Sequence, residues 1–316
     1  MTPAIELAHI VTREPEERGP QPEPGYVLIT AAHNEEALIG NTIRAVVAQV
    51  ARPRKWVIVS DRSSDRTAEI VEQYTGEHEF IELVRLEDGE GRDFAAKVYA
   101  IQAGCERLAG IDYSFIGILD ADVDFDESYY RHVLEKFQQD PALGIAGGMV
   151  HDEIRGGYQN RPSNSVLSVA GAIQLFRREC FEAIGGLQPL EYGGEDWCAE
   201  IATRMMGWKV EAFPELTVMH RRSTGAGSGL VRYWFRQGRM DFAVGSVAAF
   251  EVIKCLRRLP DPPFVLGAMA RLWGFCYSWM ISAPRQVSGE MMEFLRYEQR
   301  GRLRDFLPLK FLRRAQ

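Results

Sequence analysis

The sequence predicts an α/β protein: a mostly parallel central sheet flanked by helices, followed by a C-terminal helical extension. Short, nearly continuous apolar runs alternate with helical patterns through the first half of the chain. Polar, acidic clusters stand directly after three of those runs, where loops converge in sheets of this kind. From Leu230 onward the pattern is helical, with breaks at Pro260, Pro262, Pro263 and Pro284.

Residues 26–30 (YVLIT) form the first expected strand, and 35–50 (EEALIGNTIRAVVAQV) the first helix. A second strand, 56–60 (WVIVS), leads through a turn rich in Ser and Asp to a helix over Thr67 to Tyr74. The third strand is 80–86 (FIELVRL), a helix runs from about Asp93 to Leu108, and the fourth strand is 115–120 (FIGILD). Strands apolar along their whole length are covered on both faces, which favours parallel pairing under helices. Beyond residue 140 strands are expected at 144–150, 171–176 and 208–213, with a helix from Glu195 to Met206. The extension reads as helices over 230–258, 264–283 and 286–305. The chain thus divides into an N-terminal extension (1–25), an α/β domain (26–229) and a basic, aromatic helical region (230–316), with no internal repeat.

With 46% hydrophobic and 26% charged residues in 316, the composition is ordinarily globular and excludes collagen-like, coiled-coil and wholly disordered chains. Five scattered cysteines without a CxxC argue against a disulfide framework or cysteine zinc site, and suit a reducing compartment. The N-terminus lacks the basic and apolar regions of a signal peptide, and 13–25, rich in Pro, Glu and Gly, reads as an unstructured tether. The net charge of −7 is divided unevenly. Residues 1–220 hold 20 Lys/Arg against 37 Asp/Glu (−17), and 221–316 hold 17 against 7 (+10). The acidic part does not suit nucleic acid, whereas the basic part suits an anionic membrane surface.

Asp120-Ala121-Asp122 follows the apolar strand FIGIL, and two carboxylates at a strand end can face a divalent cation that grips a diphosphate. Taken alone, D-x-D is matched by many solvated turn acids, and Asp124, Asp126 and Glu127 also suit a helix N-cap. Glu195-Asp196, after the Gly193-Gly194 turn, is either helix capping or a reactive carboxylate pair at a helix N-terminus. His220 precedes a basic, Gly-rich stretch, and His9, His78, His132 and His151 read as surface or structural.

In order and spacing, ITAAHNEEALI, VIVSDRSSDRTAEIV, KVYAIQAGCERLAG and ILDADVDF resemble the nucleotide-sugar-binding half of family 2 glycosyltransferases, over roughly 26–225. The resemblance is to bacterial enzymes of polysaccharide and lipid-linked glycan synthesis and implies the GT-A fold. It further implies that Ala31, His33, Glu35 and Ala121 line the nucleotide, that Asp61 accepts a hydrogen bond from the base imide, and that Lys97 sits by the donor phosphates. Asp122 would be the main ligand of Mn²⁺ or Mg²⁺, Asp120 would contact ribose or metal, and His220 would complete the metal shell. Asp196 would be the general base and Glu195 would position the acceptor, giving an inverting transfer from a nucleotide-diphosphate sugar. UDP is the expected base carrier, with GDP as the alternative. Ser60 and Arg62 depart from the family pattern, replacing an acid and a Gly.

GAIQLFRRECFEAIGG (171–186) resembles the family segment before the Glu-Asp pair, and Arg177 and Arg178 there either contact phosphate or are solvated. Arg221 and Arg222 are candidates to clasp the diphosphate, and 225–229 to close over the donor. The run 263–284 is nearly long enough to span a bilayer, but Arg271 near its middle argues against spanning. It reads equally as an interfacial helix presenting Trp273, Tyr277 and Trp279, or as a helix packed on the catalytic domain. The basic amphipathic tail after Gly301 fits anionic lipid. The expectation is a cytoplasmic enzyme, peripheral on the inner face of the plasma membrane, acting on a glycan or polyprenyl-linked acceptor. Two other classes compete: a sugar-nucleotide nucleotidyltransferase, disfavoured because the loop AAHNEEA is acidic and lacks Gly, and a non-catalytic membrane-surface protein retaining the fold.

Overall fold

The computed structural model describes residues 25–87, 95–154, 157–161, 164–221, 229–260 and 263–306. In chain order the elements are β1 (Tyr26–Ala32), α1 (Ile39–Val47), β2 (Lys55–Asp61), α2 (Thr67–Thr75), β3 (Ile81–Leu86), α3 (Ala96–Glu106) and β4 (Phe115–Leu119). Then follow β5 (Val123–Phe125), α4 (Tyr129–Gln139), β6 (Leu143–Ile154), β7 (Gly157–Asn160), β8 (Ile173–Arg177), α5 (Arg178–Ala183), α6 (Glu195–Met205) and β9 (Lys209–His220). The chain continues through α7 (Leu230–Val244), α8 (Ala248–Arg257), α9 (Phe264–Met280) and α10 (Gly289–Phe306).

One sheet runs in the order β3-β2-β1-β4-β8-β6-β9-β5, with β7 paired to β6. From β3 to β4 the pairing is parallel, as the apolar runs demand. Beyond β4 the sheet is mixed: β8 is antiparallel to β4 and β6, and β6 and β9 are parallel to each other. Alternate residues divide the core. Leu28, Trp56 and Ile58 face one layer with Ile43, Val71 and Val133, and Ile29, Val57 and Ile118 face the other with Val98, Ile101 and Ala199. Helices thus cover both faces and leave the strand ends and their loops for chemistry.

Several expectations are corrected. The first helix starts at Ile39, not residue 35, because the Glu35 carbonyl accepts the N–H groups of both Leu38 and Ile39 in a tight turn before it. The helix expected over 230–258 is two helices. Gly245 adopts the left-handed region (φ 91°), and the Ser246 N–H closes onto the Asp241 carbonyl, so a glycine cap makes the break rather than a proline. Strands β5 and β7 and helices α4 and α5 were not anticipated. The expected N-terminal tether up to residue 24, the basic tail from residue 307, Arg222 and residues 225–228 of the Gly-rich stretch lie outside the described residues.

The helical region is not a detached domain. Met240, Ala243 and Val244 of α7 and Leu295 of α10 share a core with Cys198 and Ile201 of α6, and Arg204 donates to Glu298 at 2.8 Å. α7 and α9 approach so closely that a Cβ at Gly238 would strike the Arg271 carbonyl, and one at Gly274 the Phe235 carbonyl. Arg271 is buried between them, donating to Asp241 and, at 2.8 Å, to Glu251, while Lys254 reaches Asp241 at 2.6 Å. Burial and then the neighbouring Asp241 charge push Glu251 up to about 7. Arg271→Met is expected to leave buried carboxylates under-compensated and to cost about 3–5 kcal/mol, read as a lower urea midpoint.

Candidate active site

The loops after β1 and β2 hold each other. The Asn34 N–H donates to Ser63 Oγ, the Ser64 N–H donates to Asn34 Oδ1 at 2.8 Å, and the Glu35 N–H donates to Thr67 Oγ1 at 2.7 Å. His33 Nδ1 donates to the Asp61 carbonyl at 2.6 Å, and Asn34 Nδ2 then donates to His33 Nε2 at 3.1 Å. Asp61 closes β2 with a buried side chain that accepts from Arg62 Nε at 2.8 Å. Arg62, the residue in place of the family's glycine, has φ 51°, so the left-handed turn is kept without one.

β5 and β9 explain the acidic centre. Their register sets Val123 opposite His220, which brings Asp122 beside the imidazole, and the β6–β9 register sets Asp152 opposite the same His220. His220 Nε2 lies 3.4 Å from Asp122 Oδ1, and Nδ1 lies 2.9 Å from Asp152 Oδ1. Arg161 holds Asp152 in turn, at 2.7 Å. Burial opposes charging of His220, yet Asp122 and Asp152 hold its pKa up to about 9. Asp120, Asp122 and His220 each offer a ligand atom, all within 4.8 Å of one another. Two carboxylates and an imidazole are a suitable donor set for Mn²⁺ or Mg²⁺, and Asp152 stands behind the imidazole where an outer carboxylate would orient a ligating histidine.

The Gly193-Gly194 turn, with φ values of 79° and 91°, delivers Glu195 and Asp196 to the first turn of α6. Lys97 joins the two halves of the site: its Nζ is 2.7 Å from Asp120 Oδ1 and 4.0 Å from Glu195 Oε1. Those acids hold its pKa above the usual lysine range despite burial. Burial, then the charge of Asp196, pushes Glu195 upward, with Lys97 pulling against them. Asp196 Oδ2 accepts the Gly171 N–H at 3.2 Å and Oδ1 accepts the Trp197 N–H at 2.8 Å. One turn further along, buried Glu200 accepts the Val169 N–H at 2.6 Å and the Ser168 hydroxyl at 3.1 Å. Burial and then Asp196 push its pKa up to about 8. Paired carboxylates on α6 therefore clamp the segment that enters β8.

The sequence-derived residues Asp120, Asp122, Lys97, Glu195 and His220 come together, with Asp196 beside Glu195. Ala121 is buried next to them, its carbonyl accepting from Thr42 Oγ1 at 2.8 Å, and Ala31 pairs with Val59 near the end of β1. The arginines differ from expectation. Arg177 donates to the Leu143 and Phe137 carbonyls at 3.1 and 3.2 Å beside the Phe115 ring, at the far end of β4 from Asp120, and Arg178 pairs with Glu182 at 2.7 Å. Both are therefore structural. Arg221 is bound to Asp124 at 2.6 Å. Asp152, Arg161 and Glu200 were missed, since each acts through another side chain and carries no spacing signal.

A sheet of this topology, with acids from four segments gathered at its rim, defines a glycosyltransferase of the GT-A fold. The chain belongs to glycosyl transferase family 2, whose model matches residues 27–190. It is 30% identical over 124 residues to the poly-beta-1,6-N-acetyl-D-glucosamine synthase of Staphylococcus aureus (strain COL), covering 39% of this chain and 28% of that one. The matches span less than half the length of these curated relatives. The mannosyltransferase PcManGT from Pyrobaculum calidifontis, solved with GDP-Man and Mn²⁺, superposes with a TM-score of 0.55 at 18% identity, over 95% of this chain and 86% of that chain. S. aureus TarS 1-349 with UDP-GlcNAc gives 0.50 at 13%, over 86% and 78%. Similarity at this level concerns the fold.

Proposed function

We propose that this glycosyltransferase is metal-dependent and inverting, moving a sugar from a nucleotide-diphosphate donor, UDP-linked in the first instance and GDP-linked as the alternative, to a hydroxyl of a glycan or lipid-linked acceptor. The observation that carries this reading is Lys97, whose ammonium links Asp120 of the metal-ligand group to Glu195 of the α6 pair. A leaving diphosphate and an incoming alcohol would thereby meet at one cation-lined point.

Asp196 takes the proton of the acceptor hydroxyl as its oxygen bonds to the anomeric carbon, and the bond from that carbon to the diphosphate breaks on the opposite face. Lys97 stabilises the charge gathering on the diphosphate, and Glu195 orients the acceptor. Asp122, Asp120 and His220 would hold a divalent cation, which would supply further neutralisation of the leaving group. Asp61 and His33 hold the nucleoside between the interlocked loops after β1 and β2.

The test is nucleoside diphosphate release across a panel of UDP- and GDP-sugars, with and without Mn²⁺, followed by NMR of the product anomer. Release from one donor in the presence of metal, with inverted configuration, is expected. Pyrophosphate release from a nucleoside triphosphate and a sugar phosphate would defeat this reading, and a retained anomer would defeat the base assignment.

A further inference from the structure

The outer face of α9 lies outside the residues assembled in the candidate site, and it carries a run of exposed apolar side chains. Along α9 the small and charged side chains (Gly267, Arg271, Gly274, Ser278) are buried toward α7. Its outer side is apolar and open: Leu266 and Met269 are each 62% exposed and Trp273 is 56% exposed. Between this side and α7 runs an open apolar groove of about 950 Å³, lined by Val231, Phe235, Leu266, Met269 and Trp273, with Arg232 at its wall. Monomeric proteins rarely leave so continuous an apolar surface uncovered. One side of α9 is thus packed against α7, as one of the two readings of 263–284 expects, and the other side is apolar and exposed.

We infer that this α7–α9 face docks on an anionic lipid bilayer, with α9 lying in the headgroup plane. Charge complementarity selects this occupant. Residues 221–316 carry 17 Lys/Arg against 7 Asp/Glu, and exposed Arg232 and Arg257 stand on α7 and α8. An apolar stripe with tryptophan, flanked by arginine, matches the boundary between acyl chains and anionic headgroups. Among the described residues no helix is long and apolar enough to cross a membrane, so the fit is to the surface. α7 has a second neighbour as well. Met240 packs against Gly194, so the helix that walls the lipid groove also touches the turn presenting Glu195 and Asp196. The bilayer and the acceptor side of the site are thus two helical faces apart.

The full chain should co-sediment at low salt with vesicles of phosphatidylcholine and phosphatidylglycerol, much less with phosphatidylcholine alone, and should be released by salt. The triple variant Leu266→Ser, Met269→Ser, Trp273→Ser should lower the partition coefficient at least about tenfold, and Arg232→Glu should weaken only the anionic-vesicle binding. An unchanged melting temperature verifies that the variants are folded. Wild-type protein that stays off anionic vesicles, a triple variant that binds as wild type, or a lipid-free dimer abolished by the triple variant would each overturn the inference. Nucleotide release is measured separately with a soluble acceptor, and its absence would bear on the glycosyl-transfer reading alone.

Discussion

Asp122→Ala is expected to reduce kcat/KM by about 10³-fold or more, because in the proposed mechanism one side chain would serve both the metal and, through it, the leaving diphosphate. Its place is set by backbone: the Asp122 carbonyl accepts the Arg221 N–H at 3.0 Å, and the β5–β9 pairing fixes its carboxylate 3.4 Å from His220 Nε2. Removing it leaves Asp120, which already shares its charge with Lys97, and His220 as the remaining ligands. The apparent Mn²⁺ affinity, followed by the EPR signal of free ion, should fall with activity, and chelator should reduce the wild type to the level of the variant. His220→Ala should lie between the two. Asp152→Asn should cost about 10-fold to 100-fold in metal affinity, the usual effect of losing the carboxylate that orients a ligating histidine. Activity of Asp122→Ala that neither falls nor responds to chelator would remove the metal from the mechanism.

Much of this was readable in the chain because the nucleotide half is local in its logic. β1, β2 and β4 are unbroken apolar runs, and their polar followers Asp61 and Asp120 mark the ends where ligands gather. α4 was also legible in principle, since Tyr129, Tyr130, Val133 and Phe137 are buried at helical spacing, and the acids before it suit a helix N-cap, although no helix was drawn from them. β5 was not legible: three residues show no periodicity, and they become a strand only by pairing with β9 more than ninety positions away. That pairing brings Asp122 to His220 and the β6–β9 pairing brings Asp152 to it, so the histidine could be suspected from family resemblance while Asp152 could not. The break between α7 and α8 escaped for a different reason: no proline marks it, and a left-handed glycine with its Ser246–Asp241 closure ends the helix instead.

Asp196→Asn is expected to lower kcat by about 10²-fold to 10⁴-fold while leaving donor affinity and thermal stability close to wild type. The amide keeps the size of the carboxylate, and its oxygen can still accept one of the two backbone N–H groups, from Gly171 or Trp197, that hold it. What it cannot do is take a proton. Glu195→Gln serves as contrast: a residue that orients the acceptor should mainly raise the acceptor KM when its charge is removed. Gly171→Ala separates position from chemistry. A Cβ there would fall 2.5 Å from Asp196 Oδ2 and 2.8 Å from its Cβ, so the carboxylate must move although it remains a carboxylate. A displacement near 1 Å at a reacting group costs on the order of 10²-fold. If Asp196 is the base, both changes lower kcat; if it only caps α6, Gly171→Ala costs stability and Asp196→Asn leaves turnover intact.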